Sequence, residues 1–257
     1  MSIPAIGIGC YKLDSSTTYL IVKQALLLGY RLIDTAALYQ NEDAVGRAIR
    51  DSQIARGDIF IVTKVWIREI NKGSEAIIES VNSSINNLGT YIDLLLLHGP
   101  VKNKNKEAWS VLEKILDGIN VKNIGVSNYN INNLNEILTT CRITPYANQI
   151  ELSPFLRREE LCNFCIQNNI KIIAHSSLTR GNKLETNTCQ DLLKKYSITL
   201  PKLLLVWAHQ KGYIVIPRTS NIKHLEENFD LSIYIEKSDL NKIDSLEDNF
   251  SLFPNYL

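Results

Sequence analysis

Four residues in this chain are of the types that together move a proton: Asp34, Tyr39, Lys64 and His98. Each lies at or just beyond the end of a short aliphatic run. Lys64 closes IFIVTKVW, and an ammonium in so apolar a strand is costly unless a carboxylate pairs with it. Asp34, at the end of the preceding apolar run, is the available partner. A cation close to a phenol lowers its pKa from about 10, which would make Tyr39 a proton shuttle near neutral pH. His98 follows IDLLLL and is stopped by Gly99-Pro100; a neutral imidazole there would donate a hydrogen bond to a substrate carbonyl and orient it. Taken singly, Asp34 and Lys64 read equally as a structural ion pair, and a lone histidine at a strand end as a structural residue.

The elements that would position these groups alternate along the chain. In GYRLIDTAALYQNEDAVGRAI, Arg31 to Ala36 reads as a buried strand. From Asn41 onward, Ala44, Val45, Ala48 and Ile49 form one stripe of a helix with Glu42 and Asp43 in its first turn. Asp34 and Tyr39 therefore fall on a strand-to-helix loop, where α/β proteins keep their chemistry. Further strands are expected over 6–9, 59–65, 92–97, 123–126, 146–152, 171–174 and 213–216, with helical patterns between them. About eight such units close a (β/α)8 TIM barrel of parallel strands and outer helices. A doubly wound sheet usually has fewer strands and a Gly-rich first turn, and neither is evident. No linker or composition break divides residues 1–257, which predicts a single domain. The Asn pairs 86–87, 132–133 and 168–169 fall at expected helix ends. After Asp239 the chain reads as one surface helix and an irregular end.

Composition narrows the function classes. Basic and acidic residues number 28 and 27, a net charge of +1 that argues against a nucleic-acid partner. No apolar run reaches the roughly 18 residues of a membrane span, and the first residues carry no cationic flank, so no membrane and a cytoplasmic location are the defaults. Five scattered cysteines fit reduced thiols. Cys162 and Cys165 form a C-x-x-C inside a helical pattern with no second pair to complete a metal site, so packing is the expected role and no metal is expected.

In a barrel the residues just past the strands share one rim. Besides the four above, that rim would collect Ser127, Asn128, Gln149, His175, Arg218 and Thr219. Gln149 in YANQIEL is notable, because an apolar strand should not carry an unpaired amide. Ser127-Asn128 also reads as turn chemistry, and Arg218 as a solvated base.

With those stretches in view the chain resembles the aldo-keto reductase family from about Ile3 to Asn249. The resemblance rests on GYRLIDTAALYQNEDAVGRAI, IFIVTKVW, IDLLLLHGP, IGVSNY, NQIELSPF, AHSSLTRG and VIPRTSNIKHLEENF, in the family's order and spacing. It implies a catalytic tetrad of Asp34, Tyr39, Lys64 and His98, with Tyr39 protonating a carbonyl oxygen while a nicotinamide delivers hydride to carbon. It implies that Ser127, Asn128 and Gln149 hold the nicotinamide carboxamide, and that His175, Ser176 and Leu178 also contact the cofactor. Arg218, Thr219 and Ser220 match the adenosine 2′-phosphate site, and Glu227 and Asn228 the adenine contacts. Tyr11 and Trp66 match substrate-pocket walls, beside His98.

The departures from the family pattern are as informative. His224 stands where an arginine normally meets the 2′-phosphate, so NADPH is the implied cofactor with NADH still usable. His175 replaces the aromatic under the nicotinamide and adds a titratable group. Gly99 stands where many relatives have a pocket tryptophan. The opening hairpin is missing and the tail is short, which predicts an open, weakly selective pocket. The implied activity is reduction of small aldehydes or ketones by a monomeric enzyme. The alternative is a nicotinamide-binding barrel of little turnover acting as a redox-sensing or regulatory subunit.

Overall fold

Eight parallel strands pair in the order of the chain: β1 (Ile8–Gly9), β2 (Leu32–Asp34), β3 (Phe60–Val65), β4 (Leu94–Leu97), β5 (Ile124–Ser127), β6 (Ala147–Glu151), β7 (Lys171–His175) and β8 (Ile214–Val215). Their arrangement comes from a computed structural model that describes residues 2–183 and 186–256. The sheet closes on itself. Gly7 N donates to Val215 O at 2.8 Å, Val215 N to Ala5 O at 3.0 Å, and Gly9 N to Pro217 O at 3.0 Å. The result is the expected (β/α)8 barrel, with no open sheet edge.

Side chains alternate across each strand with period two, and that alternation sorts the whole molecule. Leu32, Phe60, Val62, Leu94, Leu96, Ala147, Ile173 and Ile214 form one apolar cluster inside the barrel. Their neighbours Ile33, Ile61, Leu95, Leu97, Val126, Ile150 and Val215 point outward and join the larger core beneath the helices. Each fully buried aliphatic of this size contributes about 1.5–3 kcal/mol by leaving water. Ile3 and Tyr146 pack against the inner cluster, with Tyr146 stacked on Phe60 at 6.4 Å, so these residues help to fill the floor. Gly125 is required inside: a Cβ there would lie 2.6 Å from Ala147 O and 2.8 Å from Leu96 Cδ2.

The outer helices begin and end where local chemistry directs. Asp14 accepts from Thr17 N at the start of the helix Ser15–Leu28, and Gly29 ends it in the left-handed region at φ 110°. Asn130 and Asn133 form a reciprocal capping box on the helix Ile131–Leu138, and Asn169 is left-handed at φ 58°. The helix Lys237–Asp244 is less of a surface element than its sequence implies, because Asp239 and Ile243 are buried. Among the described residues no helix is long and apolar enough to cross a membrane. Cys162 and Cys165 are buried in the helix Glu159–Gln167, and burial pushes both thiols up.

Candidate active site

Continuing each inward series by two residues leads from the aliphatic interior to the polar rim. Leu32 leads to Asp34, Val62 to Lys64, Leu96 to His98, Ala147 to Gln149 and Ile173 to His175. Lys64 is wholly buried and donates from Nζ to Asp34 Oδ1 at 2.7 Å and to Thr35 O at 2.8 Å. Gln149 Nε2 donates to the other carboxylate oxygen, Asp34 Oδ2, at 2.6 Å. Asp34 thus joins the lysine of β3 to the amide of β6 across the barrel. Burial lowers the Lys64 pKa, and the adjacent Asp34 carboxylate opposes that shift.

Tyr39 sits on a short 3-10 turn, Ala37–Tyr39, held from both sides. Asn41 anchors it: its Oδ1 accepts from Thr35 Oγ1 at 2.7 Å, and its Nδ2 donates to Cys10 O at 3.0 Å and Leu13 O at 3.1 Å. The Tyr39 ring meets Tyr11 edge-on at 5.1 Å and His98 at 5.7 Å. Lys64 Nζ lies 5.1 Å from the Tyr39 ring centroid. The expected lowering of the phenol's pKa is not what this arrangement gives. Burial, reinforced by the Asp34 carboxylate and then Tyr11 and Cys10, raises it well above the ordinary tyrosine value. Burial is the larger cause and the Asp34 anion adds to it, so Tyr39 holds its proton in this state.

His98 follows β4 and is fixed through its backbone, with N donating to Val65 O at 3.0 Å and O accepting from Asn128 Nδ2 at 2.9 Å. Its ring stands edge-on to Trp66 at 5.0 Å. Burial, then the charge of Lys64, hold its pKa well below the usual histidine value, so the imidazole is neutral as expected. Its Nδ1 is buried with no hydrogen-bond partner among the described residues.

A second polar group adjoins the first. Ser127 Oγ donates to Gln149 O at 2.9 Å, and Asn128, left-handed at φ 61°, donates from Nδ2 to Ser127 Oγ at 3.1 Å. His175 is bonded on both sides, Nε2 to Asn128 Oδ1 at 3.0 Å and Nδ1 to Ser176 Oγ at 3.0 Å. The titratable group expected at this position is neutral near physiological pH, since burial and then Lys64 lower its pKa to about 3.

These residues line a cavity of about 710 Å³. Tyr11, Asp34, Tyr39, Trp66, His98, Ser127, Asn128, Gln149, His175, Ser176, Leu178 and Arg218 all border it, while Lys64 lies beneath. Thr219, Ser220, His224, Glu227 and Asn228 do not border it; they belong to a separate cluster on and just before the helix Ile222–Phe229. There Thr219 Oγ1 accepts from Asn221 N at 2.9 Å and lies 3.5 Å from His224 Nδ1. Asn228 is buried, whereas Ser220, His224 and Glu227 are exposed. Arg218 connects the two regions but is folded back, with Nε 3.3 Å from Tyr11 O and Nη2 3.1 Å from Lys12 O. A phosphate at the expected place would have to draw the guanidinium off those carbonyls.

Several lining residues escaped the sequence reading: Lys12, Ser177, Arg180, Phe253 and Tyr256. Phe253 and Tyr256 belong to the tail, whose strand-like or helical periodicity is too weak to place it. The tail folds back onto the rim because Glu151, at the end of β6, accepts from Ser251 Oγ at 2.7 Å, Leu252 N at 2.8 Å and Phe253 N at 3.2 Å. Arg158 Nη2 adds a bond to Tyr256 O at 2.9 Å. A carboxylate inside NQIEL was the available signal, since a buried acid needs partners. Tyr256 also occupies the space above Gly99: a Cβ at Gly99 would lie 3.3 Å from Tyr256 Cε1. The pocket is therefore less open than the short tail and Gly99 imply.

A nicotinamide cofactor fits the donor set. Ser127, Asn128 and Gln149 offer neutral donors and acceptors at one wall, and Ser177 Oγ borders the cavity, buried and with no partner among the described residues. The comparisons with known proteins agree with this geometry. The model of the Aldo/keto reductase family matches residues 5–248. Glyoxal reductase of Bacillus subtilis (strain 168) is 34% identical over 258 residues, spanning 99% of this chain and 93% of the relative. Methylglyoxal reductase DkgB of Yersinia pestis is 36% identical over 233 residues, spanning 89% and 86%. The crystal structure of MGS-M4, an aldo-keto reductase from a Medee basin deep-sea metagenome library, superposes with a TM-score of 0.95 at 34% identity, covering 98% of this chain and 94% of that one.

Proposed function

The chain belongs to the aldo-keto reductase family of oxidoreductases, and from that premise we propose that it uses NADPH to reduce small aldehydes or ketones to alcohols, with Tyr39 as the proton donor. The observation that carries this reading is the buried Lys64–Asp34 pair beneath a protonated Tyr39, facing a cavity shared with a neutral His98. The two relatives named as reductases of glyoxal and methylglyoxal support small, reactive carbonyls as the substrate class.

When bound against Ser127, Asn128 and Gln149, a nicotinamide would supply hydride to the carbonyl carbon. The remaining work falls to the chain. His98 donates a hydrogen bond to the carbonyl oxygen and orients it toward Tyr39. Tyr39 gives its proton to that oxygen, and the Lys64 ammonium stabilises the phenolate left behind. Asp34 keeps Lys64 charged through the cycle. Arg218, Thr219, Ser220 and the first turn carrying His224 would receive the 2′-phosphate, with Glu227 and Asn228 at the adenine. Tyr11 and Trp66 wall the substrate.

The test is NADPH oxidation with 4-nitrobenzaldehyde, with NADH in parallel. Replacing Tyr39 by Phe removes the general acid and should lower kcat by about 10²- to 10⁴-fold. Full activity in Tyr39→Phe would refute the mechanism. Tight cofactor binding without turnover in the unaltered protein would favour the regulatory barrel instead.

A further inference from the structure

Asn41 and Glu42, at the start of the helix Glu42–Ser52, reach from it in different directions. Asn41 binds Thr35, Cys10 and Leu13, on the loops after β1 and β2. Glu42 turns to β3, where its Oε1 accepts from Thr63 Oγ1 at 2.6 Å. Both residues are buried, Glu42 with 3% of its surface exposed and Thr63 with 0%. Thr63 belongs to the outward series of Ile61 and Val65, so the bond is made on the outer side of the strand whose next residue, Lys64, points in. Among the described residues it is the one side-chain hydrogen bond between that helix and β3.

The pair is a polar island in an aliphatic layer. Val45, Ile49, Ile61, Val65, Val81 and Leu88 belong to the core around it. Ser84 and Asn87, on the helix Ser74–Leu88, also turn polar groups to the carboxyl. Burial raises the Glu42 pKa, and hydrogen bonds from Thr63, Ser84 and Asn87, together with the Lys64 charge, oppose that shift. Gly46, one turn along, lets the two helices touch: a Cβ there would collide with Leu88 O. A buried polar pair adds little net stability over aliphatic side chains of the same shape, but its directional bond admits one register. Tyr39 stands three residues before Glu42, and Lys64 one residue after Thr63. The bond therefore ties the segment that carries the phenol to the strand that carries the ammonium, whose Nζ is 5.1 Å from the Tyr39 ring centroid.

We infer that Glu42 is a positioning residue, which through its bond to Thr63 sets Tyr39 against Lys64. This rests on the reductase reading and deepens it. Glu42 does not border the cavity, touches neither substrate nor cofactor, and exchanges no proton in the reaction.

The experiment follows single-turnover oxidation of NADPH by 4-nitrobenzaldehyde in Glu42→Leu, Glu42→Gln and Thr63→Val, each made also in a Tyr39→Phe background. Glu42→Leu and Thr63→Val should each slow the turnover about 10-fold, since small misplacement of a reacting group is costly, while KM and the NADPH Kd change less than about 2-fold. Glu42→Gln keeps an oxygen for Thr63 and should recover the rate to within about 3-fold of the unaltered protein. In the Tyr39→Phe background, where there is no hydroxyl left to place, Glu42→Leu should slow the residual rate less than about 2-fold. A repeated 10-fold loss in that background would mean that Glu42 acts elsewhere than through Tyr39, and would overturn the proposal. So would a Gln variant as slow as the Leu variant, which would make the charge rather than the bond the source of the effect. Unchanged rates in both Glu42→Leu and Thr63→Val would reduce the pair to a structural contact, and a parallel rise in KM and NADPH Kd would indicate general loosening of the site; either result refutes it. If Glu42→Leu does not fold, Thr63→Val carries the same comparisons. Full activity in Tyr39→Phe alone is a separate outcome, which removes the proton-donor reading and this proposal with it.

Discussion

Replacing Asp34 by Asn tests the buried pair at the centre of the site, because the change removes one charge and almost no volume. Lys64 has no exposed side-chain surface and Asp34 only 4%, so water cannot take over the lost partner. The ammonium would keep Thr35 O at 2.8 Å, a single neutral acceptor. Removing one member of a buried pair costs about 3–5 kcal/mol, and that is the expected loss at pH 7. The cost depends on pH in a direction fixed by the lysine. Burial already places its folded pKa below the unfolded value of about 10.4, and Asp34 is the first of the groups opposing that shift. Without Asp34 the folded pKa falls further. The unfolded chain then binds more protons than the folded one over a wider range, so stability rises with pH between the two values, by up to about 1.4 kcal/mol per unit. Urea unfolding followed by tryptophan fluorescence from pH 6.5 to 9.5 reads this directly. The gap between Asp34→Asn and the unaltered protein should narrow steadily as pH rises. A loss below 1 kcal/mol at pH 7, or a gap that stays constant with pH, would refute the account of Lys64 as a charge that needs its partner.

Two further outcomes follow from other parts of the site. The ring signals of His98 and His175, followed by NMR, should not titrate between pH 5 and 8, because burial holds both pKa values below that window, His175 at about 3; a midpoint near 6.5 in either would contradict the burial. Glu151→Ala deletes three hydrogen bonds to the tail, and at about 1 kcal/mol net each it should release Phe253 and Tyr256, seen as rapid trimming of the C-terminus by a carboxypeptidase and a KM raised roughly 10-fold with kcat little changed.

The barrel was legible in the sequence because its strands announce themselves. LLLL and FIVTKV are buried on both faces, and the chemical residues continue the inward series by two. Asp34, Lys64, His98 and Gln149 were found at the ends of those strands and Tyr39 on the loop after Asp34, and the structure brings them together. The electrostatics of Tyr39 were not legible. Their sign is set first by burial and then by the Asp34 anion, and a linear sequence gives no depth. The tail was missed on different grounds. Phe253 and Tyr256 follow no period, and their places are set by the Glu151 carboxylate, 102 positions before Phe253, and by Arg158, 98 positions before Tyr256, rather than by any local propensity. Arg180 lies in a loop whose path depends on left-handed backbone at Thr179 and Arg180, with φ 48° and 52°, which residue types other than glycine do not advertise.

The volume over Gly99 is filled by Tyr256, a side chain at the far end of the chain. Many members of the family put a tryptophan at that position, which makes the wall part of the barrel itself. Here the wall comes from a separate segment, held in place by the bonds to Glu151 and Arg158. Substrate range then becomes adjustable without altering any strand: substitutions at Phe253 and Tyr256 would reshape one side of the chamber while Asp34, Tyr39, Lys64 and His98, on and just past β2, β3 and β4, kept their positions. Evolution and protein engineering alike gain a place to vary selectivity that is mechanically uncoupled from catalysis.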